Sequence, residues 1–257
     1  AATGEFIVFV DGDDWLAPDF VAYMLHVITV TKSDMAINLA HFTTRDASQV
    51  PDTPIQTWSA EKTLTELLYP HLTVGVWNKI YCRDFIEKNR LRFMNRYTAE
   101  GDLFINTAVQ YANHVGVGCH KSYYYRLNNT QSATTRYDVK QGTEATQVLC
   151  EIKNDLVIRT HSVLAAADQH IWLNEFWTIR QILGTGTRDK NAKLLRNCKA
   201  YVRRNFWPVV VDEQRFSKKI KYLVTGLFPI TMARLKNLQF DASLRKDLRK
   251  HNIAHEN

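Results

Sequence analysis

The stretch FIVFVDGDDW, residues 6–15, runs five apolar residues straight into three carboxylates, Asp11, Asp13 and Asp14. Residues 6–10 are aromatic and β-branched, the pattern of a buried strand, and the strand stops where the acids begin. Like charges at that spacing repel, and burial strengthens the repulsion. Two arrangements relieve it. Either the acids lie in open solvent as a strand-to-loop cap, with Asp14 helping to cap the next helix, or a cation holds them together. Carboxylates one residue apart at the end of a strand can converge on a hard ion such as Mg²⁺ or Mn²⁺. Such an ion takes one or two protein carboxylates and leaves positions for substrate phosphates. The carboxyl ends of strands are also where open α/β sheets bind ligands.

Outward from this stretch, Pro18 fits the first turn of a helix in which Phe20, Met24, Leu25 and Ile28 recur at helical spacing. Residues 34–43 (DMAINLAHFT) read as a second strand, and 44–58, with two prolines, as a loop. Ser59 caps a helix over AEKTLTELLY. Residues 74–93 read as a strand or turn followed by a short helix over 83–89. In EGDLFINTAVQYA, residues 100–112, Leu103, Phe104, Thr107, Ala108 and Tyr111 share a helical face. Residues 115–125 are extended, and 127–135 form a polar loop. From residue 139 long helical periodicity takes over, with two or three helices in 140–183. A break at LGTGTRD (183–189), a helix over 189–206, an interruption at Pro208 and a basic last segment follow.

Bulk properties narrow the class. With 45% hydrophobic and 11% aromatic residues the chain can build a core and is not disordered. No apolar run approaches the roughly 18–20 residues that a membrane-spanning helix needs. The opening AATGEF lacks an initiator Met, a basic region and an apolar stretch, so it is no signal peptide and the chain is expected to begin mid-protein. Cys82, Cys119, Cys150 and Cys198 make no C-x-x-C pair. That argues against a zinc site or a disulfide framework and for reduced cysteines in a cytosolic compartment. His41, His71, His114 and His120 read as structural or exposed.

Charge is divided unevenly. Residues 1–137 hold 12 Lys/Arg against 14 Asp/Glu, and residues 138–257 hold 21 against 12. With this shift in charge and periodicity, a mixed α/β domain at 1–137 gives way to a basic helical domain at 138–257. The span 188–250 carries 17 Lys/Arg and 5 Asp/Glu interleaved with aromatic and aliphatic residues. It suits a solvated face, an anionic bilayer surface or nucleic acid. Glu100 and Asp102, at a helix start, are either dipole-favoured caps or a general base for an acceptor hydroxyl. Arg126, after the Tyr123-Tyr124-Tyr125 run, can reach a phosphate bidentately.

Taken in order, these pieces resemble glycosyltransferase family 2. TGEFIVFVDGDDWL with Pro18-Asp19 is similar to the central strand and D-x-D of that family. VWNKIY (76–81) and FIEKNRLRF (85–93) look like the segment before its catalytic base in bacterial polysaccharide members. AEGDLF (99–104) is similar to its E-D-x-x-F base motif, and YYYR with Ser132 to its closing element. The resemblance covers residues 1 to about 136. It implies a GT-A-like fold, a Rossmann-like mixed sheet flanked by helices, incomplete at its N-terminus and followed by the mostly helical domain. The missing front strands should leave an open sheet edge.

The resemblance further implies metal-dependent, inverting transfer from a nucleotide-diphosphate sugar to a glycan or lipid-linked acceptor in surface polysaccharide or glycoconjugate synthesis. Asp13 and Asp11 would hold Mn²⁺ or Mg²⁺, and Asp11, Asp13, Asp14 and Arg126 would meet the nucleotide-sugar. Trp77 and Lys79 would lie on the acceptor side. The base motif departs from the family by placing Gly101 between the acids; Asp102 is preferred as base, with Glu100 as the alternative. The setting is cytoplasmic, peripheral at the inner face of the membrane through 188–250, with nucleic acid not favoured. A haloacid-dehalogenase phosphatase is disfavoured because Asp14-Trp15 stands where that family has Gly-Thr. A non-catalytic module binding anionic membrane through the basic half is the competing reading.

Overall fold

The structure, a computed structural model, describes residues 2–127, 135–213 and 215–255, with 248–255 described by backbone alone. Ser132 and most of the expected polar loop at 127–135 lie outside the described residues, as do the side chains at the end of the basic span. The chain falls into two compact units, Ala1–Leu127 with Ile152–Ala166, and Asn128–Glu151 with Ala167–Asn257. Composition suggested one cut near residue 137. Instead the chain returns to the first unit, where Ile152, Leu156 and Val163 are buried and Val157 N–H donates to Gln110 Oε1 at 2.6 Å.

The first unit runs β1 (Phe6–Val8), β2 (Trp15–Leu16), α1 (Phe20–Thr31), β3 (Met35–Asn38), β4 (Phe42–Thr43), β5 (Gln56–Ser59) and α2 (Ala60–Leu68). It continues with β6 (Lys79–Cys82), α3 (Arg83–Lys88), α4 (Glu100–Tyr111), β7 (His114–Gly118) and β8 (Tyr123–Tyr125). Five strands form a mixed sheet in the order β1-β6-β3-β7-β5, and three form a small sheet in the order β2-β8-β4. Only β3 and β7 pair in parallel within the large sheet. Phe20, Met24, Val27 and Ile28 of α1 pack against Ala36, Trp77, Ile80 and Tyr123 to make a core.

Two expected strands differ in a way that matters for the site. The stretches 34–43 and 115–125 each leave the large sheet partway and enter the small one, as β3 to β4 and β7 to β8, and the chain makes the same passage from β1 to β2 through the acids at which the expected strand 6–10 ends. A period-two pattern cannot register such a crossing, because both segments remain extended. β1 is also half-buried rather than buried, since it is an edge strand paired only with β6. No described strand lies on its other side, so the open sheet edge expected there is present. β5 falls in the expected loop; its Gln-Thr-Trp-Ser sequence is too polar to read as a strand, yet it pairs with β7.

Local signals otherwise hold. Ser59 Oγ accepts the Lys62 N–H at 3.1 Å and caps α2. Asp19 makes no side-chain cap on α1; its carboxylate meets His120 Nε2 at 2.9 Å.

The second unit is helical: α5 (Val139–Asn154) and α6 (His161–Gly184), which also contribute to the first, then α7 (Ala192–Arg204), α8 (Phe206–Asp212), α9 (Phe216–Leu227) and α10 (Pro229–His255). Trp172, Phe176, Ile179, Val202 and Tyr222 belong to its core, and Trp172 Nε1 donates to Val202 O at 2.9 Å. Pro208 does not interrupt a helix. It is the third residue of α8, where the missing N–H has no intrahelical partner to lose. Pro229 opens α10, the position that suits its fixed φ. No helix among the described residues is long and apolar enough to cross a membrane.

Candidate functional site

The acid stretch forms the turn between β1 and β2, closed by Asp14 N–H donating to Asp11 O at 3.1 Å. Tyr123, on β8, ties it down. Its hydroxyl donates to Asp14 Oδ2 at 2.8 Å and accepts the Asp11 N–H at 3.2 Å. The other Asp14 oxygen accepts the Arg126 N–H at 2.8 Å. Both oxygens of Asp14 are thus engaged in anchoring β8, while Asp11 is exposed. Asp11 has its carboxyl pKa pushed up, first by burial and then by the charges of Asp14, Asp13 and Glu100. That is the electrostatic signature of a place where added positive charge would be stabilised.

Beside the turn runs a ladder of rings. Tyr124 pairs across the small sheet with Trp15 on one side and Phe42 on the other. It stacks on both, with centroids at 5.1 and 4.5 Å. The Arg126 guanidinium lies 5.8 Å from the exposed Trp15 ring, and Lys121 Nζ lies 5.7 Å from Phe42. Arg126 is exposed, compatible with phosphate contact.

The structure separates the two acids weighed as base. Glu100 is exposed at the start of α4 and its charge is felt at Asp11. Asp102 is 7% exposed; its Oδ1 accepts from Asn106 Nδ2 at 2.6 Å. Burial pushes its carboxyl up to about 7 despite Asn106 and Lys79. Lys79 is fully buried, so it does not line an acceptor site. Its Nζ donates to the carbonyls of Thr73, Gly75 and Trp77 at 2.8, 2.5 and 3.4 Å. Burial pulls its pKa down to about 7, with Asp102 opposing. Trp77 is likewise enclosed, stacked on Tyr123 at 4.7 Å and on Tyr125 at 5.0 Å. Both residues shape the segment that faces α4.

Among the described residues, no group of three or more His, Cys, Asp or Glu side chains is arranged to hold a metal ion. Asp11 and Asp13 offer two carboxylates, the number Mg²⁺ commonly takes from protein when a diphosphate supplies the rest.

No protein-family model matches the chain. Sequence and fold nevertheless resemble glycosyltransferases. Over 147 residues, 54% of the chain, it is 32% identical to the Bacillus subtilis (strain 168) protein named "Putative glycosyltransferase EpsH", of which it spans 42%. S. aureus TarS 1-349, solved in complex with UDP-GlcNAc, superposes with a TM-score of 0.53 at 16% identity, over 97% of this chain and 69% of that one. The likeness to TarS establishes the fold, the GT-A-like mixed sheet with a helical C-terminal region.

Sequence reading missed three contributors. Tyr123 looked like core aromatic packing, and nothing in its spacing reported the hydroxyl's contact with an acid turn more than a hundred residues away. Asn38 and Asn78 form a buried polar hub. Asn38 Nδ2 donates to His120 O at 2.6 Å, and Asn78 Nδ2 to Asn38 O and Ala40 O at 3.0 Å each. Asn78 sits in the left-handed region at φ 57°, a position that asparagine tolerates. His41 packs edge-on against Trp77 and Tyr125, with its pKa lowered, mainly by burial and Lys121.

Proposed function

We propose that this chain carries the catalytic region of a glycosyltransferase that moves a sugar from a nucleotide-diphosphate donor to a hydroxyl of a glycan or lipid-linked acceptor. The observation that carries this reading is the acid turn after β1, pinned by the Tyr123 hydroxyl and the Arg126 amide, with the Glu100 charge felt at Asp11. The likeness to EpsH and the UDP-GlcNAc bound by TarS support a nucleotide-sugar as the donor. Asp13 and Asp11 would hold a divalent ion against the diphosphate. When bound, Mn²⁺ or Mg²⁺ neutralises charge that builds on the departing diphosphate.

Glu100 serves as base in this reading, in preference to the buried Asp102. Its carboxylate takes the proton of the acceptor hydroxyl while that oxygen bonds to the anomeric carbon and the bond to the nucleotide diphosphate breaks. In-line attack inverts the anomeric centre. Asp14 holds Arg126 beside the acids, where its guanidinium can meet a phosphate.

The test is calorimetric titration of a panel of nucleotide-diphosphate sugars with Mn²⁺, followed by turnover assays, on wild type, Asp13→Ala and Glu100→Gln. Asp13→Ala is expected to lose donor binding. Glu100→Gln is expected to keep it and to lose turnover by roughly 10²–10⁴-fold. Equal binding by wild type and Asp13→Ala removes the donor-site assignment. Unchanged turnover in Glu100→Gln with loss in Asp102→Asn transfers the base role to Asp102.

A further inference from the structure

The second unit leaves a concentrated apolar surface open to solvent. Between residues 207 and 238 the exposed large apolar side chains are Trp207, Val211, Phe216, Ile220, Leu227, Phe228, Leu235 and Leu238. On α8, Trp207 and Val211 are four residues apart and share a face. On α9, Phe216, Ile220 and Leu227 fall on one stripe, with half-buried Leu223 completing it. Phe216 is 77% exposed and Trp207 61%, values that a helix packed only for its own core has no reason to show. An open row at regular helical spacing is a surface awaiting a partner.

Charge identifies the partner. Arg203, Arg204, Arg215 and Lys219 lie beside these rows in sequence. On the flank of α9 away from the stripe, Lys221 has its pKa lowered by burial and by Lys236, Lys218 and Arg180. Nearby α7 contributes Arg196 and Lys199 to a groove of about 450 Å³ that also holds Arg188, against the single acid Asp189. Cations crowded to the point of repelling one another are stabilised by an anionic environment. A second copy of the chain would bring the same cations to the same face. Nucleic acid would use the cations and the aromatic rings, but not a stripe of Ile220, Leu223 and Leu227.

We infer that the α8–α9 surface docks on an anionic lipid bilayer, with Trp207, Phe216 and Ile220 entering the interface and the surrounding Lys and Arg meeting the headgroups. This goes beyond the proposed chemistry and stands independently of it, since every residue named belongs to the second unit.

The experiment is co-sedimentation of the full chain with two vesicle types, pure phosphatidylcholine and an equal mixture of phosphatidylcholine and phosphatidylglycerol, at low and high salt. Wild type is expected to pellet with the mixed vesicles only, and less at high salt. Phe216→Ser with Ile220→Ser, both exposed, is expected to abolish pelleting while the thermal melt is unchanged. Lys219→Gln should lower partitioning about fivefold. Equal pelleting with both vesicle types, no pelleting, or unchanged pelleting of the Phe216/Ile220 variant overturns the inference. So does a dimer in light scattering that the same variant dissolves, or retention of the chain by duplex DNA through the Phe216 face.

Discussion

Removing one oxygen tests how the acid turn is held. Tyr123→Phe keeps the ring, and with it the stack on Trp77 at 4.7 Å and the edge contact with Phe20 at 5.9 Å. It deletes the donor to Asp14 Oδ2 and the acceptor of the Asp11 N–H. A hydrogen bond to a charged group contributes about 1.5–3 kcal/mol and a neutral one about 0.5–1.5 kcal/mol. Both bonds are part-buried, so water can replace some of each, and the lower ends are appropriate. The sum is about 2 kcal/mol, which for a chain of this size lowers the melting temperature by about 4–8 °C. Tyr124→Phe loses the same atom from a ring stacked between Trp15 and Phe42, and is expected to stay within about 0.5 kcal/mol of wild type. Urea denaturation and thermal melts of the two variants side by side supply the measurement. Tyr123→Phe and Tyr124→Phe with indistinguishable midpoints would falsify the claim that the Tyr123 hydroxyl anchors the turn.

Two other variants probe the approach to α4. Ala99 occupies the left-handed region at φ 61°, just before Glu100. Ala99→Gly should therefore stabilise by up to about 1 kcal/mol, net of the entropy glycine adds to the unfolded chain, as read from the urea midpoint; a loss of stability would refute strain there. For Asp102, burial raises the folded carboxyl from 3.8 to about 7. Between those values the unfolded chain has released the proton and the folded chain keeps it, so this group's contribution to stability falls as pH rises. Asp102→Asn should lack that decline, and urea midpoints from pH 4 to 7 that fall equally for both proteins would exclude it.

Much of the fold was legible because it is local. The Ser59 cap and the helix starting at Glu100 both rest on signals within a few residues, and both are found. The acid turn was legible as well, since an apolar strand ending in carboxylates is a pattern of adjacent residues. What the sequence hid is non-local. Strand crossings between sheets look like continuous strands, and β5 owes its pairing to β7 rather than to its own polar residues. Lys79 was placed on the acceptor side by the family resemblance alone, and a lysine is rarely buried whole. Its three carbonyl partners and Asp102 make burial tolerable here. Asp102 was preferred over Glu100 from the motif alone; two residues apart on one helix, the acids fall on different faces, and Asp102 is the one that is buried.

The three passages from the large sheet to the small one are not held alike. Those after β3 and β7 are stitched to each other by Asn38, which bonds His120 in both directions, and Asn78 adds a bond to Ala40. The acid turn takes its side-chain anchors from β8, through Tyr123 and the Arg126 amide. Asn38 Nδ2 also reaches Ser122 Oγ at 3.4 Å, the residue directly before Tyr123. The buried asparagine junction and the anchors of the acid turn therefore belong to one hydrogen-bonded frame, and the acids inherit their position from a junction more than twenty residues along the chain from them.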